Sequence, residues 1–91
     1  FDRLIEIPVP DRESRLQILK IHSRNMKLGT VDLEEIALLT EKATGAELEA
    51  ICREAGMMAV RRDAEEISMI DYTAAVHKVK NDAVADTRMY T

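Results

Sequence analysis

The sequence predicts a mainly α fold of four helices, and three observations carry that prediction. Leu, Ile, Ala, Glu, Lys and Arg dominate the 91 residues, while aromatic residues make up only 3%, which is the composition of a helical domain with an aliphatic core. Between residues 45 and 62, apolar side chains recur at i, i+3 and i+4, the rhythm of one buried helix face. Ser, Thr or Asp followed three residues later by Glu or Asp stands ahead of three apolar runs, as helix N-caps require.

The elements follow in order. "FDRLIEIPVP" alternates Leu4, Ile5, Ile7 and Val9 with polar residues and prolines, so residues 1–10 read as a short extended lead-in. Asp11 caps a first helix reaching about Arg24, with Leu16, Ile18, Leu19 and Ile21 inside it. After a break at Gly29, Asp32 and Glu35 form a variant capping box for a short helix carrying Leu33, Ile36, Ala37 and Leu39. The third helix has the clearest signature. Thr44 and Glu47 make a reciprocal capping box, and Leu48, Ile51, Cys52, Ala55, Met58 and Ala59 line one face as far as about Arg62. Gly56 breaks that pattern at a cost of about 1 kcal/mol, for which close helix–helix approach is the expected compensation. Ser68 and Asp71 open a fourth helix with Tyr72, Ala75, Val76 and Val79 inward. Residues 27–30 and 66–68 have room to pair as two minimal strands. The helical domain is thus expected over 11–80, and the fading rhythm from about Asn81 reads as a flexible tail over 81–91.

Composition excludes several classes of function. A net charge of −4 leaves no basic excess for phosphate backbones, so nucleic acid is not an expected partner. No apolar run is long enough to cross a bilayer, and no membrane partner is expected. The single cysteine, Cys52, has no internal disulfide partner and suits a reducing, cytoplasmic setting. His22 and His77 are far apart in sequence, so no metal site is expected. None of the three glycines, Gly29, Gly45 and Gly56, precedes a lysine, so no phosphate loop is present. Taken alone the chain is expected to catalyse nothing. It begins with Phe1 rather than Met, which leads us to expect a piece of a longer protein. The end is unusual too: an apolar residue, Tyr, then any residue has a chance of roughly one in a hundred on this composition. Met89-Tyr90-Thr91 is therefore a candidate docking segment.

"FDRLIEIPVPDRESRLQILKIHSRNMKL" followed by "TGAELEAICREAGMMAVRR" resembles the end of an AAA ATPase module, where FDR-x-I-x-x-P-x-P-D-x-x-x-R-x-x-I-L-x-x-H leads from the large nucleotide-binding domain into a small helical lid. With Met89-Tyr90-Thr91 the likeness narrows to the proteasomal AAA ATPases, whose hydrophobic-Tyr-X tails dock on the 20S particle. The resemblance implies a four-helix AAA+ lid that helps an ATP-driven unfoldase to open the 20S gate and feed it substrate. It implies ATP or ADP with Mg²⁺ in a longer parent and none held by this chain alone. The implied partners are the 20S proteasome α-ring, neighbouring ATPase subunits of a hexameric ring and unfolded protein substrates. By the same resemblance His22 lies by adenine and ribose, Ile18 forms an apolar wall of the base pocket, and Gly45-Ala46 stands at the second sensor, where many relatives carry an arginine. Arg53 replaces the small hydroxyl residue often found at its position and reads as a surface change or an altered subunit contact. A lid from a non-proteasomal remodelling ATPase and a stand-alone helical interaction module are the alternatives.

Overall fold

Each helix begins where a side chain takes up an amide that the helix itself leaves free. The computed structural model describes residues 9–89, with α1 over Arg12–Ser23, α2 over Leu33–Leu39, α3 over Gly45–Arg61 and α4 over Met69–Met89. The Asp11 carboxylate accepts from the Ser14 amide at 2.9 Å, and that bond holds its pKa below the ordinary value. Asp32 accepts from the amides of Glu34 and Glu35 at 3.1 and 3.3 Å, with no bond returned by Glu35 among the described residues. The Thr44 box closes in both directions: Glu47 N donates to Thr44 Oγ1 at 3.1 Å, and Thr44 N donates to Glu47 Oε1 at 2.9 Å. At α4 the acid does the capping. Asp71 accepts from the Ser68 amide at 2.9 Å and the Ser68 hydroxyl at 3.2 Å, so half of the expected box forms.

The core is built around α3, which packs on α1 along one side and on α4 along the other, while α2 closes against α1 and touches α4. Leu48, Ile51, Cys52, Ala55 and Ala59 of α3 are buried against Leu19, Ile36, Ala37, Ile67, Tyr72, Ala75 and Val76. α3 stops at a six-residue closure in which Ala64 N donates to Ala59 O and Asp63 N to Val60 O, both at 2.9 Å. Asp63 adopts the left-handed conformation (φ 58°) that this closure requires and that glycine usually supplies.

Several expectations change. The two minimal strands reduce to one parallel bridge, Leu28 with Ile67, made by Gly29 N to Ile67 O and Ile67 N to Lys27 O, each 2.9 Å. Helix caps at Asp32 and Ser68 follow within a few residues, so no length remains for a ladder. Ile21 and Leu39 lie within α1 and α2 but are exposed. The flexible tail expected from residue 81 is helical as far as Met89. Loss of apolar rhythm does not stop a helix, and residues 81–89 contain neither Gly nor Pro. Val9 and Pro10 are the described part of the lead-in; residues 1–8, Tyr90 and Thr91 lie outside the described residues. Close helix approach at Gly56 is also absent: an added Cβ would meet Ile67 Cδ1 at 3.8 Å and Met26 Cε at 3.9 Å, ordinary contact distances.

Gly56→Ala is accordingly expected to raise stability by about 0.5–1 kcal/mol, read from urea unfolding; destabilisation would show that the glycine meets a demand beyond helix propensity.

Asp71 generates a second expectation. Its carboxylate is 2% exposed and receives Arg62 Nε at 2.9 Å and Nη2 at 2.6 Å, and this pairing, first among its causes, lowers its pKa from 3.8 to about 2. A folded pKa below the unfolded one means stability that is full above 3.8 and lost as pH falls through about 2. Asp71→Asn should lower the unfolding midpoint at neutral pH, and the gap to wild type should close across that acid window.

Candidate functional site

The last turn of α1 and the middle of α3 form an open groove of about 620 Å³, and His22 stands on its edge. Its walls include Met26 from beyond α1 and Glu49, Arg53, Met57 and Val60 from α3. The groove is mostly apolar, with His22, Glu49, Arg53 and Arg61 supplying the polar groups. Gly56 belongs to its lining, which is where the space above that residue opens.

A buried polar cluster beneath it sets the position of His22. Ser23, the next residue, is 3% exposed and shares a 2.6 Å hydrogen bond with the Tyr72 hydroxyl of α4. Ser23 Oγ also lies 3.6 Å from Cys52 Sγ of α3, and the Cys52 thiol donates weakly to Leu19 O at 3.9 Å. Burial pushes the Tyr72 hydroxyl up to about 12 and raises the Cys52 thiol, so both remain neutral in ordinary buffers. Three helices therefore meet at uncharged, hydrogen-bonded groups, and the adjoining His22 is held on a fixed turn while its own side chain is exposed.

The expected nucleotide-facing residues divide between two places. Ile18 is half-buried one turn before His22, as the i, i+4 spacing requires. Gly45 and Ala46 are exposed at the start of α3, one turn before Glu49, and do not line the groove. The Thr44 cap takes up the Glu47 amide, and Leu48 N bonds to Thr44 O at 3.0 Å. The Gly45 and Ala46 amides carry no such bond among the described residues, and both residues are exposed. A Cβ built at Gly45 meets nothing within 4 Å, so the approach to these amides is open. A helix N-terminus of this kind favours an anion, although the Glu47 carboxylate beside it offsets part of that attraction. No cation stands at Ala46, so shape and amide dipoles are what this end offers.

Met26, Glu49, Met57 and Val60 were not singled out by sequence, because methionine and valine at helical spacing read as core. Glu49, Met57 and Val60 are exposed and Met26 is half-buried, all lining the groove. Arg53 lines the groove beside His22, an exposed position in keeping with a surface change. Among the described residues no group of three or more His, Cys, Asp or Glu is placed to hold a metal ion. None of the described helices is long and apolar enough to cross a membrane.

A capped four-helix body led in by Pro-x-Pro-Asp, with an open face on α1 and a capped Thr-Gly-Ala-Glu helix start, defines a lid of the AAA+ class. Residues 30–74 match the AAA+ lid domain, and the chain belongs to that family. Its similarity extends to proteasome-activating nucleotidases of archaea. It is 50% identical over 92 aligned positions, the whole chain, to that of Methanospirillum hungatei. It is 56% identical over 79 positions to that of Pyrococcus abyssi and 52% over 80 to that of Archaeoglobus fulgidus, each covering 87% of the chain. The chain spans only about a fifth of these relatives, 22%, 20% and 20% of their lengths.

Since the His22 side chain is exposed and the fold does not use it, His22→Ala should leave the unfolding free energy within about 0.5 kcal/mol of wild type. A larger loss would assign the imidazole to the fold instead.

Proposed function

We propose that this chain is the C-terminal lid of a ring-forming, ATP-driven protein unfoldase that docks on the 20S proteasome, opens its gate and feeds it substrate. The observation that carries the proposal is the 50–56% identity to proteasome-activating nucleotidases along most or all of the chain. The groove edge and the α3 start support it, because they leave an exposed imidazole and an exposed helix N-terminus.

In this proposal the nucleotide lies between the lid and the large domain of the parent. His22 flanks the adenine and ribose, Ile18 walls the base, and the Gly45 and Ala46 backbone lets phosphate approach closely. ATP with Mg²⁺ supplies the free energy of hydrolysis when bound. The phosphate loop, the acidic metal-binding residues and the arginine fingers belong to the large domain of the family, so this chain orients and does not catalyse. The Ser23–Tyr72–Cys52 cluster keeps the lid one rigid body. A change of angle at the nucleotide is thereby passed to the neighbouring subunit of a hexamer instead of being absorbed within the lid.

Met89, Tyr90 and Thr91 form the docking segment of the proposal. Met89 fills apolar space between α subunits, and Tyr90 adds ring burial with a hydroxyl to bond. The Thr91 carboxylate pairs with a pocket lysine, which requires Thr91 to end the parent chain. Six such tails gain affinity through simultaneous engagement. A cytoplasmic location belongs to the same proposal.

Deleting Tyr90 and Thr91 from the full ATPase should abolish its stimulation of small-peptide hydrolysis by 20S particles while ATP hydrolysis continues. Unchanged stimulation would end the docking proposal and leave the lid assignment standing.

A further inference from the structure

We infer that Arg15 is a positioning residue, a clamp that fixes the direction in which the preceding chain enters the domain at Pro10. Arg15 is 6% exposed although it is charged. Its Nε donates to the Ala37 carbonyl of α2 at 2.9 Å, and its Nη1 donates to the Pro10 carbonyl at 3.1 Å. Its main-chain amide donates to Asp11 O at 2.8 Å. One residue thus ties together the lead-in, the first turn of α1 and the last turn of α2.

The chemistry favours a clamp over a mere filler. The last carbonyls of a helix lack intrahelical partners, and α2 has only seven residues, so an outside donor at Ala37 joins it to α1. Thr40 Oγ1, which has one proton to give, lies 2.9 Å from Ile36 O and 3.1 Å from this carbonyl, so Arg15 Nε at 2.9 Å is the donor that reaches Ala37 O from outside α2. At the other end the proline ring fixes φ, so holding its carbonyl orients the peptide plane at Pro10. A guanidinium presents its N–H groups in a rigid planar fork, and two carbonyls on that fork are held at a set angle to one another. A lysine ammonium reaches the same atoms without imposing that angle. Burying a charge is costly unless its donors are satisfied, and a clean aliphatic residue would fill this space more simply. The inference rests on the proposed function for its consequence: the segment before Pro10 joins the lid to the nucleotide-binding body, so Arg15 sets the resting angle of that joint.

The clamp is measurable in this chain without nucleotide. Val9 and Val60 are 48% and 76% exposed, and nitroxide labels placed there through V9C and V60C report one distance, Cys52 being 1% exposed and shielded from the label. Pulsed dipolar spectroscopy should give a narrow distance distribution. Arg15→Met should broaden it at least about twofold with helical circular dichroism retained, and Arg15→Lys should fall between. Equal widths for wild type and Arg15→Met would overturn the clamp. If Arg15→Met does not fold, proton exchange at Arg15 Nε in the unsubstituted chain decides. Protection of about tenfold or more over the exposed Arg53 supports the clamp, and equal exchange overturns it. In the full ATPase, Arg15→Met should slow ATP hydrolysis and Arg15→Lys should partly restore it. An unchanged rate beside a broadened distance would overturn the hinge role alone, and neither the distance nor the exchange measurement depends on whether the parent is an unfoldase.

Discussion

The packing of α3 between α1 and α4 is the constraint on which the other features depend. A 17-residue helix is marginal by itself in water, and α2 is far below the length at which an isolated helix holds. Burial of Leu48, Ile51, Cys52, Ala55 and Ala59 supplies what local propensity lacks. At the middle of that contact, Ser23, Cys52 and Tyr72 exchange hydrogen bonds out of water. Because Tyr72 and Cys52 stay neutral there, the cluster needs no counter-charge and does not change with pH in the ordinary range. A hydrogen-bonded contact of this kind has one good geometry, whereas aliphatic contacts tolerate sliding, so the Ser23–Tyr72 bond holds α1 to α4 in one register.

Two buried charges lie nearer the edges, and the protein treats them differently. Asp71 meets Arg62, whose side chain is 47% exposed, so the carboxylate is compensated by a cation that keeps much of its own hydration. Arg15 is met by the carbonyl oxygens of Ala37 and Pro10. The first pairing pins the loop after α3 to the start of α4. The second pins the lead-in and α2 to α1. With the Leu28–Ile67 bridge, these contacts tie the connections to the helices. Such a body transmits rotation, because close-packed elements do not deform continuously. The groove edge and the α3 N-terminus remain open on it, which suits a lid that contributes one wall of a shared site.

Much of this was legible locally. Asp11, Asp32 and the Thr44–Glu47 box act as helix starts because a cap is decided within four residues, and no distant partner is required. The inward set on α4, Tyr72, Ala75 and Val76, followed from helical period alone. The stripe Arg15, Leu19, Ser23 at i, i+4, i+8 is the buried face of α1, and its two polar members concealed it, since arginine and serine ordinarily mark solvent. Ile21, an apolar residue of the same helix, is exposed.

Sequence by itself determined four helices, their order, their caps and the AAA+ likeness, because periodicity, cap chemistry and motif spacing are properties of the chain read along its length. Tertiary structure decided the rest. It determined that Arg15 is buried and His22 is not, that Gly56 opens onto a groove, that two candidate strands shrink to one bridge, and that α4 continues to Met89. Those outcomes depend on which surface each residue meets across the fold. Burial and hydrogen-bond satisfaction are set between segments far apart in sequence, and no local pattern encodes them.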